Sequence, residues 1–179
     1  VILETRRLTL REMSLDDLDF VAEMLAHPEV MRFYPKCHSR AESAQWVERQ
    51  MARYQRDGHG LWLALDRASG EPVGQIGLVL QQVDGVAMPE VGYLVHRPYW
   101  RRGLASEAAA ATRDHAFQRL GLERVISLIR PENLPSQGVA RRIGMRPEGR
   151  TLHAHLDHVV FAVRRAELRE ALPTRDAAR

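Results

Sequence analysis

The stretch "EVGYLVHRPYWRRGLASEA", residues 90–108, decides how the rest of the chain is read. Its opening, around "VGYLV", is rich in β-branched and aromatic residues and reads as a strand. From Gly103 onward it turns Ala-rich and reads as a helix. A helix start leaves about four backbone N–H groups without internal partners. The aligned peptide dipoles add roughly half a positive charge there. Together these favour an anion, a phosphate above all. Gly103 lacks a Cβ, so a ligand could approach the main chain, and Ala105 and Ser106 keep that approach open. Arg101 and Arg102 add charge and fork-shaped donors. The plain alternative is a solvated arginine loop before an ordinary helix, and this stretch alone does not separate the two. It is not a Walker loop, since no Gly-Lys-Ser/Thr follows, nor G-x-G-x-x-G, since it holds one glycine after the strand.

Upstream of it, "RLTLREM" (7–13) alternates like a strand. Ser14 followed by Asp17 starts a helix with Leu15, Leu18, Val21, Met24 and Leu25 at helical spacing, stopped by His27-Pro28. "SRAESAQWVERQMARYQRDG" (39–58) opens on the capping-box pair Ser39 and Glu42 and closes at Gly58. Its Trp46, Met51 and Tyr54 sit at core spacing. Then the period changes to two. "GLWLALDR" and "PVGQIGLVLQQV", joined by "ASGE", read as a hairpin with Trp62 in the core, and "DG" at 84–85 marks the next turn. Strand 89–96 and helix 103–119 follow, then strand 123–130, helix 134–144 and two last strands in "MRPEGR" and "DHVVFAVRR". The order β-α-α-β-β-β-α-β-α-β-β predicts an α/β (α+β) domain over 1–170 with one mixed, mostly antiparallel central sheet flanked by helices. Residues 171–179 read as a polar tail.

Bulk properties narrow the function classes. Hydrophobic content of 45% and charged content of 27% are those of an ordinary globular chain. No apolar run reaches the ~18–20 residues that span a bilayer, and Glu4, Arg6 and Arg7 break the pattern of a signal peptide. Cys37 is the only cysteine, which excludes an intrachain disulfide and fits a cytoplasmic setting. The net charge of +3 is interleaved with acidic residues rather than gathered in a stripe, which argues against direct nucleic-acid binding.

With strand and helix placed on either side of it, "EVGYLVHRPYWRRGLASEA" resembles the acyl-CoA-binding motif of the GNAT superfamily of N-acetyltransferases, Gln/Arg-x-x-Gly-x-Gly/Ala after a strand. Gly103 and Ala105 match its last two fixed positions, while Trp100 stands where Gln or Arg is usual. An aromatic-Trp pair before the loop is similar to the branch that acetylates ribosomal-protein N-termini. "LETRRLTLREMSLDDLDFVAEMLAHPEVMRFYP" (3–35) is similar to that branch's opening, and "RPENLPSQGVARRIGMRPEG" (130–149) to its later Asn-x-x-Ser motif. The resemblance covers roughly residues 3–165.

The resemblance implies the GNAT fold and transfer of an acetyl group from acetyl-CoA directly to a primary amine, with no metal. The acceptor would be a protein N-terminus or a small amine, and the chain a monomer or homodimer. The diphosphate is expected on Arg101, Arg102, Gly103, Leu104, Ala105 and Ser106, and the pantetheine arm beside Leu94, Val95 and His96. Asn133 would bond that arm and Ser136 would approach the sulfur as proton donor, although alone they read as a turn residue and a helix N-cap or first-turn residue. No tyrosine follows residue 99 to serve as the acid many relatives use. A backbone N–H near Leu94 would stabilise the oxyanion.

For the base, Glu90 and His155 stand as alternatives. An α-amine with pKa near 7.7–8.0 is already about 10–20% neutral at pH 7, whereas a lysine is neutral at about 0.04%, so an N-terminal acceptor needs little help. His153, His155 and His158 are badly spaced for one shared ion. Tyr34 and Arg32, in "VMRFYPKCHSR", are candidate walls for the acceptor. Arg141 and Arg142 could reach the 3′-phosphate but read more simply as a solvated helix face. An acyl-CoA binder without turnover is the alternative from another class.

Overall fold

A computed structural model describes residues 1–170, with side chains described through Leu168. The expected polar tail, 171–179, lies outside the described residues. Eight strands form one sheet: β1 (Leu3–Glu4), β2 (Leu8–Arg11), β3 (Leu61–Asp66), β4 (Pro72–Val83), β5 (Val86–Val95), β6 (Arg124–Ile129), β7 (Arg146–His153) and β8 (Leu156–Arg164). Their spatial order is β1-β2-β3-β4-β5-β6-β8-β7. Every neighbouring pair is antiparallel except β5 and β6. Five helices accompany it: α1 (Leu18–Ala26), α2 (Arg40–Asp57), α3 (Leu104–Gln118), α4 (Leu134–Arg142) and α5 (Arg165–Glu170). The expected mixed, mostly antiparallel sheet flanked by helices is the observed one.

Local chemistry explains the boundaries. The Ser39 hydroxyl accepts from the Glu42 N–H at 3.2 Å, and Glu42 returns the bond to the Ser39 N–H at 2.8 Å, so α2 starts where the capping pair predicts. Ser14 and Asp17 form a second such box, but it opens a short 3-10 turn, Leu15–Asp17, and α1 follows from Leu18. The parallel β5–β6 step needs a crossover, which α3 supplies. Ala108 and Ala109 are fully buried, so α3 lies close on the sheet.

Three elements differ from the sequence reading. The strand β1, two residues long, pairs Leu3 with Leu10. β5 begins at Val86, right after the Asp84-Gly85 turn, and pairs with β4 along its whole length. The last strand stops at Arg164 and α5 follows. Within α2, Tyr54 is buried as expected: its hydroxyl donates to Leu61 O and accepts the Met13 N–H at 3.2 Å. Met51 instead faces solvent, and Trp46 is only half-buried. Trp62 is in the core at 1% exposure.

Candidate active site

The loop from Arg97 to Gly103 joins β5 to α3, and its hydrogen bonding leaves one row of donors free. The first bond of α3 runs from the Glu107 N–H to Gly103 O at 3.1 Å. Among the described residues the N–H groups of 101–106 have no acceptor. Gly103 sits at φ +73, the left-handed region, and a Cβ there would meet only Arg7 Nη2, at 3.5 Å. The turn is therefore open toward its donors.

The arginines of this loop are used differently from expectation. Arg101 has φ 60 and its side chain is exposed. Arg102 folds back: Nη2 donates to Pro98 O at 3.1 Å and its guanidinium lies over the Tyr99 ring at 5.4 Å. Its expected charge is thus partly spent on its own loop. Arg7 was not anticipated. Its Nη1 donates to Arg102 O at 2.7 Å, and its Nε and N–H donate to the Glu107 carboxylate at 2.7 and 2.8 Å. Thr5 adds a third bond to Glu107 at 2.6 Å. Burial works to raise the Glu107 carboxyl, but the Thr5 and Arg7 bonds outweigh it and hold the group below its ordinary range. The turn between β1 and β2 therefore braces the start of α3. Only the "ETRR" opening hinted at it, through family resemblance.

β5 and β6 are joined by a single bridge, Glu90 with Ile126. Beyond it two side chains span the strands: Ser127 Oγ donates to Val91 O at 2.7 Å, and the Leu128 N–H donates to Glu90 Oε1 at 3.1 Å. Then the strands part. The His96 N–H donates to Val73 O at 2.9 Å, on the β4 side. Antiparallel alternation then turns the main chain of Leu94 toward β4 and that of Val91, Tyr93 and Val95 toward the gap. This corrects the expected pantetheine edge. Leu94 lines the cavity below while its main chain pairs with Gln75 on β4. His96 faces elsewhere: its N–H is on β4, its carbonyl takes the Tyr99 N–H, and its buried ring sits under α1 with Nε2 3.2 Å from Glu23 Oε1. Tyr93 and Val95 supply the open donors. Trp100, the departure from the motif, donates its indole N–H to Val95 O at 2.7 Å and caps the strand end.

The gap opens into a cavity of about 430 Å³. Its walls are the α1–α2 connection (Phe33, Tyr34), α2 (Trp46, Arg49, Arg53), the β5 floor and the β7–β8 hairpin. Glu90, Asn133 and Ser136 all line it. Glu90 is 9% exposed, and burial pushes its carboxyl up, with the Leu128 N–H, Gln81 and Arg53 working against the rise. Asn133, expected as a turn residue, caps α4, its Oδ1 accepting the Ser136 N–H at 3.2 Å, and Ser136 lies in the first turn. Ser136 O accepts from Tyr93 Oη at 2.7 Å, and the Ser136 hydroxyl has no partner among the described residues. Tyr93, which precedes the loop rather than following residue 99, brings a tyrosine hydroxyl to this wall of the cavity. Burial, then the Glu90 and Tyr34 charges, keep its phenol raised. Tyr34 presents one ring edge to solvent, yet burial of its hydroxyl and the Glu90 charge push it up to about 12.

His155 does not reach the cavity. It sits with Ala154 at the tip of the β7–β8 hairpin, both at positive φ (61 and 50), and is exposed. Its neighbours His153 and His158 line the cavity instead, rings 5.4 Å apart, with burial and His158 lowering His153. Arg32 also stays outside, over the Phe33 ring at 5.3 Å. Arg141 lies over Phe161 at 5.3 Å, beside a second, shallower depression. Among the described residues no group of three or more His, Cys, Asp or Glu could hold a metal ion, and no helix is long and apolar enough to cross a membrane.

An open helix-start cradle, a parted pair of parallel strands and a cavity beneath them define an acyl-CoA-type transferase site. The sequence model of the Acetyltransferase (GNAT) domain matches residues 7–146, and the chain belongs to this acetyltransferase family. It is 34% identical to the YkkB protein of Bacillus subtilis over 144 residues, covering 80% of this chain and 84% of that one. It is similar to the crystal structure of an acetyltransferase from Agrobacterium tumefaciens, with TM-score 0.80, 28% identity and 91% and 94% of the two chains covered. It shares the fold of RimL, a ribosomal-protein α-N-acetyltransferase solved with coenzyme A, at TM-score 0.74, 19% identity and 91% and 97% coverage.

Proposed function

We propose that this enzyme moves an acetyl group from acetyl-CoA to a primary amine, and that the acceptor is a protein N-terminal α-amine of the ribosomal-protein type or a small amine. The single observation that carries the reading is the row of unpaired donors at 101–106 leading, along the parted β5 and β6, to a cavity that holds Glu90. The backbone N–H groups of 101–106 hold the diphosphate, with Arg7 bracing the turn. The free main chain of Tyr93 and the N–H of Val95, whose carbonyl is taken by the Trp100 indole, pair with the pantetheine amides as a further strand would. In the reaction an N–C bond forms, the C–S bond breaks, the amine loses a proton and the sulfur gains one. Glu90, raised by burial, removes the amine proton directly or through a water. Tyr93 or the free hydroxyl of Ser136 returns a proton to the sulfur. The N–H of Tyr93 or Val95 steadies the oxyanion. Residues 1–170 act as one domain, and the lone cysteine suits a cytoplasmic enzyme.

The test is thiol release from acetyl-CoA with a panel of dipeptides, small amines and Nα-blocked lysine. Dipeptides are expected to outpace blocked lysine and simple alkylamines, whose amines are almost wholly charged at pH 7. Thermal stabilisation by CoA with no thiol release on any amine would instead mark an acyl-CoA binder without turnover.

A further inference from the structure

The α2 wall of the cavity carries two arginines one turn apart, Arg49 and Arg53. Neither has a carboxylate within ion-pair distance among the described residues, whereas their helix neighbours Arg40 and Arg56 pair with Asp19 and Asp57. Neutral groups hold both in place. Arg49 lies over the Trp46 ring at 5.3 Å, and Trp46 is fixed by its indole N–H donating to Gln75 Oε1 at 2.9 Å. Arg53 is half-buried and donates to Gln50 Oε1 at 3.1 Å, the same oxygen that takes the Leu61 N–H. Burial, then the charges of Arg49 and Arg56, lower the Arg53 guanidinium from its ordinary value. His38 lines the same space, and its buried Nδ1 has no partner. Arg53, half-buried, has no carboxylate at ion-pair distance although the Glu90 and Asp57 charges reach it, and Arg49 beside it is exposed. An anion entering the cavity would offset the desolvation of Arg53. Glu90 faces this cavity from β5, so the space has one negative pole on the sheet and a positive one on α2.

We infer that the acceptor is an amine bearing a carboxylate a few bonds away, its nitrogen directed to Glu90 and its carboxylate to Arg49 and Arg53. This rests on the acetyltransferase reading above and narrows its substrate class. The carboxylate has two sources, the main-chain carboxylate of a free amino acid or an acidic side chain next to a peptide N-terminus.

Matched pairs separate them: alanine against alaninamide, and the peptide amides Ser-Asp-Gly and Ser-Asn-Gly. KM and kcat are read from thiol release at saturating acetyl-CoA, and binding of each N-acetylated product is read by calorimetry, which needs no turnover. The carboxylate member of one pair should show a KM and a product Kd about tenfold lower or more, with kcat little changed. Arg53→Gln with Arg49→Gln should bring the two members of that pair together. Arg53→Lys, which keeps the charge and guards against misfolding, should retain most of the preference. Equal binding within both pairs, or a preference that survives the double Gln variant, overturns the inference. A calorimetric preference without thiol release on any acceptor would leave the carboxylate site standing while removing the acetyl-transfer reading.

Discussion

Gly103 is the sharpest place to test the cradle, because a second glycine supplies its control. Gly103 and Gly121 stand at the two ends of α3 with φ +73 and +68, and neither would bring an added Cβ closer than 3.5 Å to another atom. Glutamate at either position pays a similar left-handed backbone penalty of roughly 1–2 kcal/mol. For a chain of this length that lowers Tm by about 2–8 °C in both variants. The ligand effect should differ entirely. The carboxylate of Gly103→Glu reaches the unpaired N–H groups of 104–106 and takes the place of the diphosphate. Losing two charge-assisted hydrogen bonds at about 1.5–3 kcal/mol each removes at least about 3 kcal/mol, more than a hundredfold in Kd. Gly121→Glu lies about fifteen residues along the helix, some ~22 Å away, and should bind coenzyme A like the parent. Calorimetry and CoA-dependent thermal shift measure both quantities. The reasoning fails if Gly103→Glu folds and binds coenzyme A within threefold of Gly121→Glu.

Other outcomes follow from the same geometry. Glu90→Gln keeps an acceptor for the Leu128 N–H but lowers kcat about a hundredfold or more, and flattens a pH–rate profile that in the parent rises above the ordinary carboxylate range. Because the folded Glu90 carboxyl is raised, its native form keeps a proton that the unfolded chain releases. Parent stability therefore falls, relative to Glu90→Gln, as pH rises from about 4.3 toward the raised value, a difference that Tm measured at pH 4 and pH 8 resolves. Glu107 has the opposite sign. Its lowered carboxyl stabilises the fold above the ordinary range, and that stability is lost as pH falls through its folded value. Glu107→Ala should cost about 2–3 kcal/mol in urea unfolding, since it frees Arg7 and Thr5, and should weaken coenzyme A binding through the unbraced loop. His155→Ala should leave kcat within twofold, because the side chain lies at an exposed hairpin tip.

Local chemistry was legible in the sequence and long-range chemistry was not. The strand, loop and helix across 90–108 are each encoded within a few residues, so the open helix start could be located from them. The same holds for the Ser39–Glu42 box, whereas Asn133, read as a turn residue, turns out to be the cap of α4. Arg7 and Glu107 are 100 positions apart, and nothing in either neighbourhood announces their bond. From its distance along the chain beyond Asn133 and Ser136, His155 reads as a candidate base. Two consecutive left-handed residues at 154 and 155 turn it outward and leave His153 and His158 facing in. Likewise the choice between the main chain of Leu94 and that of its neighbours depends on which edge of β5 meets β4, a fact of register rather than composition. Arg49 and Arg53 read as a polar helix face until α2 is seen to overhang the cavity.

The lone Glu90–Ile126 rung has a mechanical meaning as well. Five strands on one side and three on the other form two stiff slabs hinged at that rung. A molecule that hydrogen-bonds to both slabs acts as a bolt through the hinge. Occupancy should then damp amide exchange in β6 and β8 as well as in the strand it touches.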